Sequence, residues 1–431
     1  MLNRRTILQA AVGAALGEGL FGSGLFKSPL WAQPGQSRPR IAFIGTVVRK
    51  LSHAQHFLDR LTEGYTWNGR WRTPQVEVAG VYIAQIPEGD LSVERIRRHQ
   101  LRQFPSVAEA LTLGGEKLAV DGVVLIGEHG QYPRNELGQT LYPRYEWFKD
   151  VVRVFEDSGQ AVPVFNDKHL STSWEECLEM VEDSRRLNFP FLAGSSLPVT
   201  RRFPAIDMPL GADLRESVCV AYGGVDSYDF HALETAQCMS ERRRGGEVGI
   251  RSVHALRGAA LWELLDQADR EPTRRLLVAA LTRSHNLPAA DGYPTAAVTY
   301  EWAREALPQT TGYFIEHLDG FRTSIFLTGI RDFNYAGLIN QAGTERILSC
   351  QFYLPMPGHG STTADFFNPL TRHIEQTILT RQTPYPIERT LLTSGMVIGG
   401  VQSLHQGQQP VLTPTMQIAY QPPAESTYWN D

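Results

Sequence analysis

The 431-residue sequence holds only four cysteines, Cys177, Cys219, Cys238 and Cys350, scattered with no CxxC pair and no zinc-type spacing. That excludes a disulfide-framed scaffold and a structural zinc module, and the four read as small buried hydrophobes. Positive charge is not in excess: the formal net charge is −5, and the one dense basic run is Arg242-Arg243-Arg244. Without a basic face the chain has no electrostatic footprint for nucleic acid. Internal repeats and low-complexity stretches are missing, which removes solenoids and long disordered arms. A long unbroken apolar run is missing too: the N-terminal stretch is rich in glycine and interrupted by Glu18, so no stable membrane span is expected in the mature protein. What is present, 42% apolar and 20% charged residues, describes a globular chain long enough for two domains with cores of their own.

The segment "NRRTILQAAVGAALGEGLFGSGLF" pairs Arg4 and Arg5 with a modestly apolar Ala/Gly/Leu stretch, and "PLWAQP" offers a cleavage site at Ala32. It resembles a twin-arginine export signal. Residues 1–32 are then a leader, and the mature protein is expected to be periplasmic or extracellular, delivered already folded. A polar linker, "QPGQSRPR", covers 33–40.

From residue 41 strands and helices alternate. "IAFIG", "VEVAGVYIA", "GVVLI", "VPVF" and "FPFLAGSS" have the continuous apolar character of strands buried on both faces. Between them lie helical spacings at "SHAQHFLDRL", from Val107, at "YEWFKDVVRVFEDSG", and behind Ser173, where Ser173 and Glu176 form a capping-box pair. Such alternation over 41–200 predicts a Rossmann-like, doubly wound parallel sheet. Past Pro204 the texture becomes strand-rich: "ESVCVAYGG", "GIRSVHALRG", "GYFIEHLDGFRTSIFLTGI" and "ILSCQFYLP". Helices are expected at "HALETAQCMSERR", "FNPLTRHIEQTIL" and "IERTLLTSGMVIGGVQSL". Residues 201–431 are therefore expected to form an α+β domain whose mostly antiparallel sheet carries helices on one face.

One strand ending raises a chemical question. "VPVFNDKH" closes a buried strand on Asn166, Asp167, Lys168 and His169. A lysine at the carboxyl end of such a strand points into the crevice where open α/β sheets bind ligands, although a single lysine is more commonly a solvated charge. The order of elements resembles the Gfo/Idh/MocA family of sugar-directed, NAD(P)-dependent oxidoreductases, over nearly all of the mature chain. In that family the fifth strand ends in Glu-Lys-Pro, whose lysine binds substrate and moves a proton. Asp167-Lys168-His169 stands in its place, and "FLAGSSLPVTRRFP" fits the segment that follows.

The resemblance implies a set of site residues. It makes Lys168, His231 and Glu234 catalytic, the last two from "GGVDSYDFHALE", where Asp226 and Asp229 flank the register of the family's first acid. Gly45, Thr46, Arg49, Lys50, Gln85, Glu128, His129 and Asp167 would hold the cofactor, NADP or NAD. Tyr132, Arg134 and His169 would meet substrate, with Asn135 on the same long loop; His53 matches a histidine of the family's first helix. Two departures weigh against the dinucleotide. The family places glycines at 45, 47 and about 50, whereas Val47 and Lys50 occupy the second and third positions. Strand two ends in Gln85 rather than an acid for the ribose hydroxyls.

The expected function is hydride transfer between NAD(P) and a sugar or polyol hydroxyl. The alternatives are a non-redox carbohydrate-active enzyme (lyase, isomerase or hydrolase) or a sugar-binding protein that has lost the dinucleotide. Glu128, His129, Lys168, His169, His231 and His359 in one crevice also leave a metal possible, although no spacing is diagnostic of one. The resemblance further implies a homo-oligomer paired through the open face of the second sheet.

Overall fold

The computed structural model describes residues 37–287, 298–355 and 363–430; the leader and His359 lie outside them. The first half runs β1 (Arg40–Gly45), α1 (His53–Thr62), β2 (Tyr65–Trp67), β3 (Arg70–Arg72), β4 (Glu77–Ile83), α2 (Ser92–His99), α3 (Val107–Thr112), β5 (Gly122–Ile126), α4 (Arg144–Ser158), β6 (Val164–Asp167), α5 (Trp174–Arg186) and β7 (Phe191–Gly194). Strands β4-β1-β5-β6-β7 form one wholly parallel sheet. Its strands are apolar throughout because both faces are covered. Ala42, Ile44, Val123, Leu125 and Val164 face a core built with α3, α4 and α5, and Ile41, Phe43, Val124, Ile126 and Phe165 face another built with α1. The Rossmann-like sheet expected from the alternation is present.

Local chemistry sets the boundaries. Ser52, Ser106 and Ser173 each cap a helix by accepting an N–H three residues on. The capping box at Ser173 is half made: its Oγ accepts from the Glu176 N–H, while the Glu176 carboxylate turns to the Ser171 hydroxyl. Between β2 and β3, Asn68 and Gly69 both take positive φ, 50° and 70°, the two-residue hairpin turn that Asn-Gly favours.

The second half comprises β8 (Arg202–Phe203), β9 (Leu214–Tyr222), α6 (Asp229–Ser240), β10 (Ile250–Arg257), α7 (Ala259–Leu265), α8 (Glu271–Leu281), α9 (Tyr300–Ala306), β11 (Thr311–His317), β12 (Arg322–Thr328), β13 (Phe333–Gln341), β14 (Thr344–Phe352), α10 (Asn368–Thr380), α11 (Ile387–His405) and β15 (Val411–Leu412). Its eight-stranded sheet has the order β15-β10-β11-β12-β9-β13-β14-β8 and is antiparallel except where β12 pairs with β9. The α+β character is as expected, but helices lie on both faces rather than one. Helices α6 and α11 pack on Cys219, Ala221, Tyr313, Ile315 and Ile325. On the other face, Leu261, Trp262, Leu276, Leu277 and Ala280 of α7 and α8 cover Val218, Val220, Phe314 and Phe326. Each of those buried large side chains contributes about 1.5–3 kcal/mol, so the α7–α9 segment is a second core. The open face anticipated for pairing is therefore occupied by the chain itself.

Two late helices bind the halves together. Helix α11 packs on β10, α6 and α5, and it approaches the second sheet closely enough that a Cβ at Gly400 would overlap the Tyr313 ring. Helix α10 returns to the first sheet, where Leu370, Ile374 and Ile378 complete the core over Ile41, Phe43 and Phe57. The four cysteines are buried and unpaired, and no helix among the described residues is long and apolar enough to cross a membrane.

Candidate active site at the carboxyl edge of the first sheet

Parallel strands deliver their following residues to one edge. There β5 leads into Glu128 and His129, β6 ends on Asp167 and leads into Lys168, and β1 leads through Thr46 to the first helical residue, His53. Lys168 is in the left-handed region (φ 66°), with its N–H donating to the Gly194 carbonyl at 3.1 Å. A Cβ there costs about 1–2 kcal/mol that a glycine would avoid, so the position retains its side chain against a backbone cost. His129 (φ 63°) and Asp226 (φ 55°) share that conformation on neighbouring loops.

The side chains form a connected group. Lys168 Nζ lies 2.6 Å from Glu128 Oε2. The other Glu128 oxygen accepts the His53 backbone N–H at 2.7 Å and stands 3.3 Å from His129 Nε2. His53 Nδ1 is 2.9 Å from both carboxylate oxygens of Asp167. His231, in the first turn of α6, brings its ring centroid to 6.1 Å from that of His53. Its Nδ1 is buried without a protein partner.

The electrostatics assign protonation states. Burial disfavours the Lys168 ammonium, but the carboxylates of Glu128 and Asp167 outweigh that, and its pKa rises above 10.5. Burial would likewise raise Glu128, yet His53 and Lys168 hold it well below the usual carboxylate range. His231 is pushed well below 6.5 by burial and then by the positive charge of Lys168. At neutral pH the group therefore presents a protonated lysine and a neutral imidazole with one free nitrogen.

The structure thus gathers Lys168, Glu128, His129, Asp167 and His231, together with His53, from the residues marked in the sequence. Others point elsewhere. Glu234 follows His231 by three residues, but its carboxyl accepts from the Ser195 N–H and Oγ at 2.7 and 2.6 Å, fully buried behind β7. Burial raises its pKa to about 8. His169 offers Nε2 to the Arg144 guanidinium at 3.1 Å, which fixes it as a neutral acceptor. Tyr132 packs on Tyr142, Arg134 is exposed in the same loop, and Arg49 and Lys50 are exposed.

The Gln85 side chain is bonded reciprocally to the Gln131 backbone, at 3.0 and 2.9 Å. The loop after β5 is also tied to the second half, because Asp226 accepts from Gln139 Nε2 and the Thr140 N–H. Arg144 was missed by sequence reasoning: it is buried, donates to the Gly127 carbonyl at 2.8 Å, and braces both β5 and β6 ends. Nothing in "YPRYE" distinguishes it from a solvated arginine at a helix start.

No family model and no curated protein matches the chain. Solved structures do. The fold is that of the Gfo/Idh/MocA-type dehydrogenases. GenD2 from gentamicin A biosynthesis, in complex with NAD, superposes with a TM-score of 0.53 at 13% identity, covering 88% of this chain and 97% of that one. A myo-inositol dehydrogenase from Corynebacterium glutamicum gives 0.52 at 13%, covering 88% and 100%. The Lactobacillus casei myo-inositol dehydrogenase in complex with NAD(H) and myo-inositol gives 0.51 at 12%, covering 88% and 99%. At these identities the likeness establishes the architecture and leaves the activity to the site.

Proposed function

We propose that the chain is an enzyme acting on a sugar or polyol at the carboxyl edge of the first sheet, with Lys168 as acid and His231 as base. The observation that carries this is a Glu128-held ammonium gathered at the same sheet edge as a neutral imidazole whose buried Nδ1 has no protein partner. His231 Nδ1 accepts a proton from a hydroxyl or from a carbon bearing one. The Lys168 ammonium donates a hydrogen bond or its proton to the oxygen on which negative charge develops. Glu128 keeps Lys168 protonated, and Asp167 holds the His53 ring in place. A polyhydroxylated ring suits such a pair, and one solved structure of this fold carries myo-inositol.

The fold suggests hydride transfer to NAD or NADP, in which a dinucleotide would supply the hydride acceptor and Arg49 and Lys50 would meet the extra phosphate of NADP. The turn between β1 and α1 does not fit that cofactor. Residues 46–52 separate strand from helix, the Val47 and Val48 side chains are buried within the turn, and the His53 N–H is already taken by Glu128. A second reading follows from that observation: a lyase, isomerase or hydrolase using the same acid–base pair. A metal-dependent version would draw on His53, Glu128 and Asp167, whose ligand atoms lie within 4.8 Å of one another. The Lys168 ammonium already offsets one of that cluster's two carboxylate charges, which disfavours a cation.

The test is turnover of a panel of sugars and polyols followed by NMR, with and without NAD and NADP. Lys168→Met is expected to lose about 10²–10⁴-fold while keeping its circular dichroism. Wild-type rates in that variant would remove Lys168 from the mechanism. The rate should stay level between pH 6.5 and 10.5, because His231 is shifted below and Lys168 above those limits.

Export to the periplasm or beyond belongs to the same proposal, supported by Arg4, Arg5 and the apolar stretch behind them. Fractionation of cells expressing the chain with and without Arg4→Lys/Arg5→Lys checks it: the variant should stay inside. A homo-oligomer, if formed, uses a surface other than the face beneath α7–α9, which light scattering and interface mapping would show.

A further inference from the structure

Two of the first three amides of α1, those of His53 and Gln55, are bonded within the chain at the place where an open α/β fold receives a phosphate. Helix N-termini attract anions because their first N–H groups lack partners. Here the His53 N–H donates to Glu128 Oε1 at 2.7 Å, and the Gln55 N–H to Ser52 Oγ at 3.2 Å. In the turn before them, the Val48 N–H donates to Asp90 Oδ2 at 2.7 Å and the Leu51 N–H to Gln55 Oε1 at 2.6 Å. Two of these acceptors are carboxylates, so an incoming phosphate would meet like charge as well as occupied donors.

The loops beside the turn are packed on one another as well. A Cβ built on Gly130 would stand 3.0 Å from Gln85 Oε1 and 3.2 Å from Val47 Cγ2. The loops that follow β1, β4 and β5 are thus in mutual contact, and the Gln85–Gln131 pair fastens two of them. Two cavities, of about 250 and 390 Å³, lie elsewhere, the first beside Trp67 and Trp429 and the second beside Phe203 and Gln351.

We infer that Glu128 is the resident anion of the α1 N-terminus and that the chain works without a dinucleotide, on an uncharged hydroxylated ligand. The inference rests on the acid–base reading of Lys168 only for the ligand class. The Glu128 carboxylate spans the helix start and the Lys168 ammonium, so the seat that would bind a phosphate is built into the acid–base group. Displacing it would strip Lys168 of the hydrogen-bonded one of its two counter-charges.

Calorimetric titration of the purified chain with NAD, NADP, their reduced forms and ADP tests this, ADP probing the phosphate seat alone. No saturable binding tighter than ~1 mM is expected, and denaturation should release no nucleotide. Binding tighter than ~1 mM, or a stoichiometric nucleotide released on denaturation, overturns the inference. Glu128→Gln keeps an acceptor for the His53 N–H and removes the charge, so ADP affinity should become measurable in it. Unchanged, undetectable ADP binding in a folded Glu128→Gln protein would overturn the assignment of Glu128. The acid–base reading fails separately: full activity in Lys168→Met would sink it and leave these titrations as they were.

Discussion

Helix α6 and the residue that caps its C-terminus supply two buried glutamates with opposite fates. Glu241, at its C-terminal end, meets the Arg389 guanidinium with both oxygens, and one of them also accepts from the Tyr420 hydroxyl. Nearby Glu247 is surrounded by Arg243, His317, Gln237 and two backbone N–H groups, which hold its pKa far below the ordinary value despite burial. Glu234, two turns earlier on the same helix, has a hydroxyl and an amide on one oxygen and no partner on the other. It remains protonated at neutral pH. The lesson is that a buried carboxylate is structural when counter-charges use both its oxygens. Where valences are left over, as at Glu234 Oε1 and His231 Nδ1, the protein has accepted a stability cost close to its candidate site.

The comparison can be broken first at its strong end. Arg389→Met should destabilise the protein by about 3–5 kcal/mol, because Glu241 is left charged and unpaired in the core. The double variant with Glu241→Leu should recover most of that loss. Urea midpoints that barely move in the single variant would show the pair to be dispensable.

A somewhat smaller effect sharpens the other end. Folded, Glu234 holds its proton up to about 8, whereas unfolded it releases it near the ordinary 4.5. Stability therefore falls as pH rises from 4.5 toward 8 and levels off beyond. Glu234→Gln has no proton to release, so its gain over wild type should grow by up to roughly 4 kcal/mol between about pH 5 and pH 8. A pH-independent difference between the two proteins would mean that Glu234 is ionised in the fold.

The first sheet was legible because its period and punctuation are local: Gly122–Ile126 reads as a buried strand from five apolar residues alone, and Ser173 marks its helix start. Lys168 was legible for the same reason, as a charge at the end of a buried strand. The partners that give it chemistry were not. His53 reaches Asp167 across 114 residues of sequence and its own N–H finds Glu128 across 75, and no spacing rule reports such meetings. Helical periodicity places Glu234 beside His231 but cannot say that Ser195 waits behind β7. Two further local signals stand in the sequence. Asn68-Gly69 announces the β2–β3 hairpin, and Pro272 at the start of "EPTRRLLVAAL" announces α8, hidden by the strand-rich text around it.

The return of α10 to the first sheet has a consequence for how the chain is made. Gly122 lacks a side chain where Ile378 presses against β5, so one face of a sheet begun at residue 40 is finished by a helix more than three hundred residues later. Until that helix arrives, Ile41, Phe43 and Phe57 have lost part of their cover. A fragment stopping near residue 200 would be a sheet with one bare side, prone to associate with itself. The contacts that close the core are among the most distant in the sequence, which slows folding and delays it until synthesis is nearly complete. The halves are separate in architecture but one unit in folding.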